Sequence, residues 1–143
     1  MKPVVSRITI EILGGPKEHV EQTLHATIEK LKQDKNLTIL KTETFPCTQL
    51  ENKLWSTFAD IEFETPTLKK VLEVCYDYMP STIEVLEPMN LEINCYDVAD
   101  VFNDFLTKLH KHTTVLNKLQ AENIWMMREL EKHQKPSTEP KKS

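Results

Sequence analysis

Two glycines and a proline separate the first predicted strand from the first predicted helix. Gly14, Gly15 and Pro16 leave backbone N–H groups exposed at a helix N-terminus, where an anion or a carboxylate can bind. His19 would lie in the first turn of that helix. A tight turn that needs glycine is the simpler interpretation, because a lone Gly-Gly pair lacks the spacing of a nucleotide-binding loop. If an anion binds at this turn, Gly14, Gly15 and His19 are the candidate ligand-binding residues.

The other residue types that could bind a metal or catalyse a reaction are scattered along the chain. His110 and His112 are two residues apart on a predicted helix and do not face each other. Cys47, Cys75 and Cys95 are widely spaced and form no CxxC pair, so neither a disulfide framework nor a zinc site is indicated. The sequence therefore predicts no metal, no cofactor and no catalytic residue, and we expect a protein that is not an enzyme.

A short segment of the third predicted strand, residues 56–63, resembles the aromatic octapeptide of RNA-recognition motifs. The resemblance is carried by Phe58, Ala59, Ile61 and Phe63, and it implies RNA binding. At the second stacking position, however, the chain has Asp60, and a carboxylate there would repel phosphate. A nucleic-acid partner is therefore not favoured, and RNA binding stays the last of three alternatives.

The composition is that of one ordinary globular domain. The chain has 143 residues, 28% of them charged, and a net charge of −4 without the basic excess that nucleic-acid binding rewards. No segment approaches the roughly 18 apolar residues of a membrane span, and the first ten residues lack the apolar core of a signal peptide. Since the cysteines indicate a reducing compartment, we expect a cytoplasmic protein without membrane association.

Hydrophobic periodicity predicts the element order βαββαβ followed by one long helix. The strands are predicted at residues 7–13, 37–45, 54–64 and 81–87. The first helix runs from Pro16 to about Gln33, and the second begins with Thr65 as its N-cap and ends before Pro80. This order predicts an α+β fold of the ferredoxin-like type, a βαββαβ sandwich with a four-stranded antiparallel sheet.

Three regions follow from this pattern. Residues 1–88 would form the ferredoxin-like domain, and residues 89–135 a connector and a long amphipathic helix. Residues 136–143 have the composition of a disordered tail. A kink near residues 113–114 could split the long helix.

Alternation in the four strands predicts two different sheet faces. The face under the helices would carry the apolar side chains, namely Ile8, Ile10, Ile12, Ile39, Ile61, Phe63, Ile83 and Val85. The other face would carry Arg7, Thr9, Glu11, Phe58, Asp60, Glu62, Thr82 and Glu84. This second set is acidic and has one aromatic side chain, so it is a candidate surface for a protein partner.

The C-terminal helix carries the clearest signal in the sequence. Residues with alternating spacing of three and four fill the a and d positions of four heptads: Phe102, Phe105, Leu109, His112, Leu116, Leu119, Asn123, Met126 and Leu130. Asn123 falls at an a position, where a buried Asn pairs with its symmetry mate in a parallel dimer. We expect these residues to form a homo-oligomer interface. Docking on the chain's own domain and a different protein partner remain alternatives, and helix orientation is open.

Residues 7–87 resemble the ferredoxin-like superfold, which includes the ACT domains that sense small molecules. The feature shared with ACT domains is Leu13-Gly14-Gly15-Pro16, and the resemblance implies an amino-acid ligand near this turn. Residues 12–20 and 78–84 are also similar to small archaeal proteins of unassigned function, which implies no activity. The leading hypothesis is a homodimeric protein-interaction or scaffold module. A small-molecule-sensing regulatory domain and an RNA-binding domain are the alternatives.

Overall fold

The computed structural model describes residues 2–134 and contains five strands and three helices in that range. The elements are β1 (Val4–Gly14), α1 (Lys17–Lys32), β2 (Thr38–Thr44), β3 (Thr48–Gln49), β4 (Trp55–Thr65), α2 (Leu68–Tyr78), β5 (Thr82–Glu87) and α3 (Cys95–Gln134). The predicted α+β class, the βαββαβ order and the long C-terminal helix are confirmed. The predicted tail, residues 136–143, lies outside the described residues.

The sheet is antiparallel, with the strands in the order β2-β4-β1-β5. Its centre is the long β1–β4 ladder, in which Ile8 lies opposite Ile61 and Thr9 lies opposite Asp60. The prediction of four strands missed β3, a two-residue strand that pairs with β4 inside the segment predicted as the loop 46–53. Propensity gives no signal for a strand this short, because it depends on the edge that β4 offers.

The core lies between the sheet and helices α1 and α2. Alternate residues of β1 and β4 point into it, so that Ile8, Ile61 and Phe63 are fully buried. From α1, a stripe at helical spacing completes the packing, and it consists of Val20, Leu24, Ile28 and Leu31. From α2, Val71 and Val74 are buried. The predicted division of β1 and β4 into an apolar and a polar face is confirmed.

The prediction that Ile83 and Val85 lie under the helices is wrong. Their exposed fractions are 42% and 45%, although Ile83 stands directly opposite the buried Ile8. The physical reason is that β5 is an edge strand, whereas α2 packs against β1 and β4 nearer the middle of the sheet. The alternating pattern correctly identified the strand but not how far the helices reach over it.

The start of α2 also differs from the prediction. Thr65 pairs with Val4 as the last residue of β4, and the N-cap is Thr67, whose side chain accepts a hydrogen bond from the N–H of Lys70. Pro66 therefore precedes the cap instead of opening the helix. The α3 helix begins after Asn94, whose side-chain oxygen accepts from the N–H of Asp97, and it is continuous through residues 113–114.

The chain divides into two compact units after Val101. This boundary lies later in the chain than the one predicted at residue 88, because the connector and the first turns of α3 belong to the first unit. The second unit consists of the remainder of α3 within the described residues.

Candidate interaction surfaces

The nine residues predicted as an oligomer interface lie on one continuous helix and are all exposed. We call this set the α3 stripe; it consists of Phe102, Phe105, Leu109, His112, Leu116, Leu119, Asn123, Met126 and Leu130. The exposed fractions of its apolar members run from 36% at Phe105 to 61% at Phe102. None of the 40 residues of α3, all of them described, is buried. In a single chain the α3 stripe is therefore an apolar surface in water.

The stability of a long helix depends mainly on how much of its apolar face is packed against another surface. Isolated helices draw little stability from propensity, and helices in proteins are held mostly by the packing of an apolar face. Each apolar side chain that leaves water contributes about 25 cal/mol per Å² of buried surface. A 40-residue helix in which no residue is fully buried obtains only part of that contribution. The α3 stripe is thus the surface that gains most from a partner.

Outside the α3 stripe, the same helix carries a second apolar group near its end. Ile124, Trp125 and Met127 expose more than half of their surface. At 100° per residue, Trp125 lies on the side of the helix opposite the α3 stripe. A partner that covers the α3 stripe alone would leave Trp125 in water.

The second candidate surface is the sheet face turned away from α1 and α2. We call it the outer sheet face, formed by Arg7, Thr9, Glu11, Phe58, Asp60, Glu62, Thr82 and Glu84. Its central cation is Arg7. One guanidinium nitrogen of Arg7, Nη2, lies 2.7 Å from Oε1 of Glu62, and Nη1 lies 3.3 Å from Oε2 of Glu84. The hydrogen bond to Glu62, with the nearby carboxylates, raises the pKa of Arg7.

Hydrogen bonds within the outer sheet face engage most of its remaining polar side chains. Thr9 Oγ1 donates to Asp60 Oδ1 at 2.6 Å, and Ser56 Oγ donates to Glu11 Oε1 at 3.3 Å. These pairs join β1 to β4 across the register that the strands already impose. The outer sheet face is therefore preorganised, with four carboxylates and one guanidinium.

The aromatic side chain of the outer sheet face is partly covered. The Phe58 ring stacks on Phe45 with ring centroids 4.4 Å apart, and its exposed fraction is 40%. Base stacking needs a free aromatic face among groups that tolerate phosphate. Here one face of the ring is occupied by Phe45, and the neighbouring Asp60 is a carboxylate. The contact between Phe45 and Phe58 was not predicted from the sequence. Phe45 follows the end of β2, and only the fold brings the two rings together.

The glycine turn lies where the sequence predicts it, but its backbone does not require glycine. Gly14 ends β1, and His19 lies in the first turn of α1, where its N–H donates to the carbonyl of Pro16. Neither glycine has a positive φ. A Cβ added to Gly14 would lie 3.8 Å from Val20 Cγ2, and one added to Gly15 would meet nothing within 4 Å. The interpretation that the turn needs glycine is therefore wrong, because ordinary side chains fit the backbone.

The surface near the glycine turn combines apolar and charged side chains. Leu13 is exposed by 55%, and a cation–π contact places Lys17 Nζ 5.4 Å from the centroid of the Trp55 ring. A shallow depression on α1 is lined by Glu18, Glu21, Gln22 and His25, and it includes none of the three candidate ligand-binding residues.

The three cysteines differ in how far they are exposed. Cys47 and Cys75 are partly buried, Cys95 is exposed, and all three are free thiols. Burial raises the pKa of the Cys75 thiol, which lowers its reactivity near neutral pH. Within residues 2–134, no three His, Cys, Asp or Glu side chains come together as metal ligands.

Comparison with known proteins adds one finding. A family model described as the MJ0538 family matches residues 6–136. The chain belongs to the MJ0538 family. The matched range includes β1 from Ser6 onward, the other four strands, the three helices and the whole α3 stripe.

No curated protein and no solved structure matches the chain. Among the helices in residues 2–134, none combines the length and the apolar character that crossing a membrane requires. The function of the protein is therefore inferred from its own surfaces.

Proposed function

We propose that the protein is a non-enzymatic, homodimeric protein-interaction module in which the α3 helices of two copies pair through the α3 stripe. The observation that carries this proposal is the exposure of the α3 stripe along a helix with no buried residue. The outer sheet face is then the surface offered to a further protein partner.

The size of the α3 stripe suits a stable interface. A standard interface buries about 800 Å² per partner. Seven apolar side chains, with exposed fractions from 36% to 61%, supply a patch of that order together with the flanking Leu106, Val115 and Met127. Burial of this patch would stabilise the dimer by several times the free energy of one polar contact between exposed side chains.

The spacing of the α3 stripe favours another helix as its cover. Alternation of three and four residues keeps a narrow seam facing a partner helix, whereas a helix that docks on a sheet presents a wider face with a period of 3.6. A second copy brings a seam with the same length and the same spacing. In a homodimer, the α3 stripe of each chain is therefore buried against the α3 stripe of the other.

The charge of the outer sheet face indicates the kind of partner it suits. The outer sheet face carries four carboxylates, from Glu11, Asp60, Glu62 and Glu84, and one guanidinium, that of Arg7, which pairs with Glu62 and Glu84. Electrostatic complementarity favours a protein surface rich in Lys and Arg. The partly exposed Phe58 adds an apolar contact at the edge of this charged surface.

The experiment that tests dimerisation compares two variants of the full chain by light scattering. Leu116→Glu introduces a charge in the α3 stripe, and we expect the mass at micromolar concentration to fall from two chains to one. Ala121→Glu is the matched control, since Ala121 is exposed on the opposite side of α3 and the substitution adds the same charge. We expect Ala121→Glu to keep the mass of the unmodified chain.

Two outcomes would contradict the proposal. Equal masses for both variants would show that the α3 stripe is not the interface. Loss of the near-ultraviolet spectrum in Leu116→Glu would mean unfolding, and Leu119→Gln, a milder change at the next position of the α3 stripe, would then replace it.

A second candidate function is the sensing of a small ligand at the glycine turn, in the manner of ACT domains. It is supported by the open space at Gly15, where an added Cβ would meet no heavy atom within 4 Å. The test is a thermal-shift screen of the full chain with amino acids and nucleotides, because a ligand that binds only the folded state raises the melting temperature. A shift that disappears in Gly15→Val would support this function, and no shift with any compound would dismiss it.

A further inference from the structure

We infer that the two α3 helices pair in antiparallel orientation about a centre between Asn117 and Lys118, so that Phe102 of one chain and Phe102 of the other lie at opposite ends of the helix pair. This inference rests on the proposed homodimer and deepens it. It comes from the positions of polar and apolar residues on the continuous helix, which match one antiparallel register in the layers from Phe105 to Leu130 and leave Phe102 opposite His133.

The two polar members of the α3 stripe identify the register. In an antiparallel pair, each a residue lies opposite a d residue of the other helix, and the two position numbers have a constant sum. His112 is a d residue and Asn123 is an a residue, and both are exposed in the single chain. The register that sets His112 opposite Asn123 of the second copy lets the two side chains hydrogen-bond to each other. The same register sets Leu116 opposite Leu119 at the centre.

The layers further from the centre are apolar on both sides. Leu109 lies opposite Met126 of the second copy, and Phe105 lies opposite Leu130. All four are exposed by 36% to 58% in the single chain. No layer from Phe105 to Leu130 sets a polar side chain against an apolar one, so each apolar member of the α3 stripe in this segment gains an apolar partner.

The flanking positions obey the same register. In antiparallel pairs, e positions face e positions across the seam, which brings Leu106 to Met127 and Thr113 to Gln120. Leu106 and Met127 expose about half of their surface in the single chain. Both pairs match in polarity, apolar with apolar and polar with polar.

The other flank is compatible as well. Positions g face positions g, which brings Lys108 to Glu129 of the second copy, a pair of opposite charges. It also places Val115 beside the aliphatic stem of Glu122. No like charges meet on either flank in this register.

A parallel pair in register fits less well. It would set His112 against His112 of the second copy, and its g-to-e contacts would place Val115 against Gln120 and Glu122 against Met127. The parallel pair is favoured by an Asn123 pair and by apolar layers in which each residue meets its own copy, Phe102 included. The antiparallel register pairs Asn123 with His112, avoids the His112 pair, and has one mismatched flanking contact, Val115 with Glu122, where the parallel pair has two.

The orientation has a consequence for the proposed function. Phe102 lies about 45 Å along the axis from Phe102 of the second copy, at 1.5 Å per residue. The first units of the two chains are therefore connected through the chain to opposite ends of the helix pair. The dimer carries two outer sheet faces, and binding through both at once raises the overall affinity.

Disulfide trapping in the full chain tests the orientation. The starting variant is Cys47→Ser/Cys75→Ala/Cys95→Ser, and Leu109→Cys and Met126→Cys are each introduced into it. Within one helix these positions lie about 25 Å apart, so they cannot cross-link inside a chain. We expect a disulfide-linked dimer in a redox buffer only when the two single-cysteine proteins are mixed, with each protein alone remaining unlinked.

The other outcomes are decisive too. Disulfide-linked dimers from each protein alone, with none specific to the mixture, would establish a parallel pair and overturn the inference while the homodimer stands. A mass of one chain for the unmodified protein would overturn the inference and the homodimer together.

A second measurement applies if the cysteine-free starting variant does not fold. His112→Leu and Asn123→Leu are introduced singly and together, and the dimer dissociation constant is measured for each. In the antiparallel register the two leucines of the double variant form an apolar layer. We therefore expect its dimer dissociation constant to be about tenfold or more lower than the value obtained by adding the free-energy effects of the two single variants. Additive effects would contradict the inference, because the two residues lie about 16 Å apart in a parallel pair.

Discussion

At the scale of single residues, a short and partly buried ion pair joins α2 to the turn after α1. Lys70 Nζ lies 2.6 Å from a carboxylate oxygen of Asp34, and their side chains are exposed by only 16% and 23%. Glu73 is a second, more distant partner at 3.4 Å. The hydrogen bond from Lys70, with one from the N–H of Asn36, lowers the pKa of Asp34. The hydrogen bond to Asp34 likewise raises the pKa of Lys70.

We expect Lys70→Met to lower the free energy of unfolding at pH 7 by about 1–3 kcal/mol, because it leaves a largely buried carboxylate without its cation. The pKa of Asp34 is lower in the folded state, so this stabilisation is present above the ordinary carboxyl pKa of about 3.9. It is lost as the pH falls through the folded value. Urea unfolding at pH 7 and pH 3 measures the difference, which we expect to shrink at pH 3.

The matched control for this substitution is Lys32→Met. Lys32 pairs with Glu29 at 3.2 Å, but both side chains are about half exposed. Exposed ion pairs contribute little, so the effect should stay within about 0.5 kcal/mol. A loss for Lys70→Met no larger than that of the control would contradict the proposed importance of the buried pair.

The sequence predicted individual residues well where neighbours along the chain decide their environment. Ile8, Ile61 and Phe63 are buried as their alternation indicates. The pair of Lys70 with Asp34 was not predictable, because its partners are distant in the chain and belong to different elements. For the same reason the sequence did not reveal the stacking of Phe45 on Phe58.

At the scale of elements, α2 is held at its start by a capping residue that the sequence placed two positions too early. Thr67 accepts a hydrogen bond from the N–H of Lys70 at 3.2 Å. Both Thr65 and Thr67 have the right chemistry, and pairing with Val4 decides between them by extending β4 to Thr65. Long-range strand pairing thus overrides a local helix signal.

We expect Thr67→Ala to lower the free energy of unfolding by about 1 kcal/mol, because an N–H in the first turn of α2 loses its acceptor. The control is Thr23→Ala within α1, where the hydroxyl bonds back to the carbonyl of His19. Alanine is the better helix former, so the control should be neutral or slightly stabilising. Chemical unfolding of both variants measures the contrast, and equal effects would contradict the assignment of Thr67 as the cap.

The edge strand β5 shows where the pattern of an element stops being informative. Its alternation identifies a strand, but burial depends on where α2 crosses the sheet, and α2 packs against β1 and β4. Ile83 and Val85 are consequently about half exposed. The α3 helix is the opposite case, since its spacing alone predicted both its length and the face that carries the α3 stripe.

At the scale of the whole molecule, two surfaces of different character coexist. The α3 stripe is apolar and regular, which suits permanent burial against a second copy. The outer sheet face is charged and internally hydrogen-bonded, which suits a surface that is stable in water and meets a partner reversibly. In the proposed homodimer the first surface assembles the molecule, and the second leaves it free to bind.

The measurement that tests this account most directly is the mass of the unmodified full chain by sedimentation equilibrium over a range of micromolar concentrations. We predict the mass of two 16.7 kDa chains, with dissociation only on dilution. A mass of 16.7 kDa throughout that range would contradict the account, because the exposed side chains from Phe102 to Leu130 would then have no second copy to cover them.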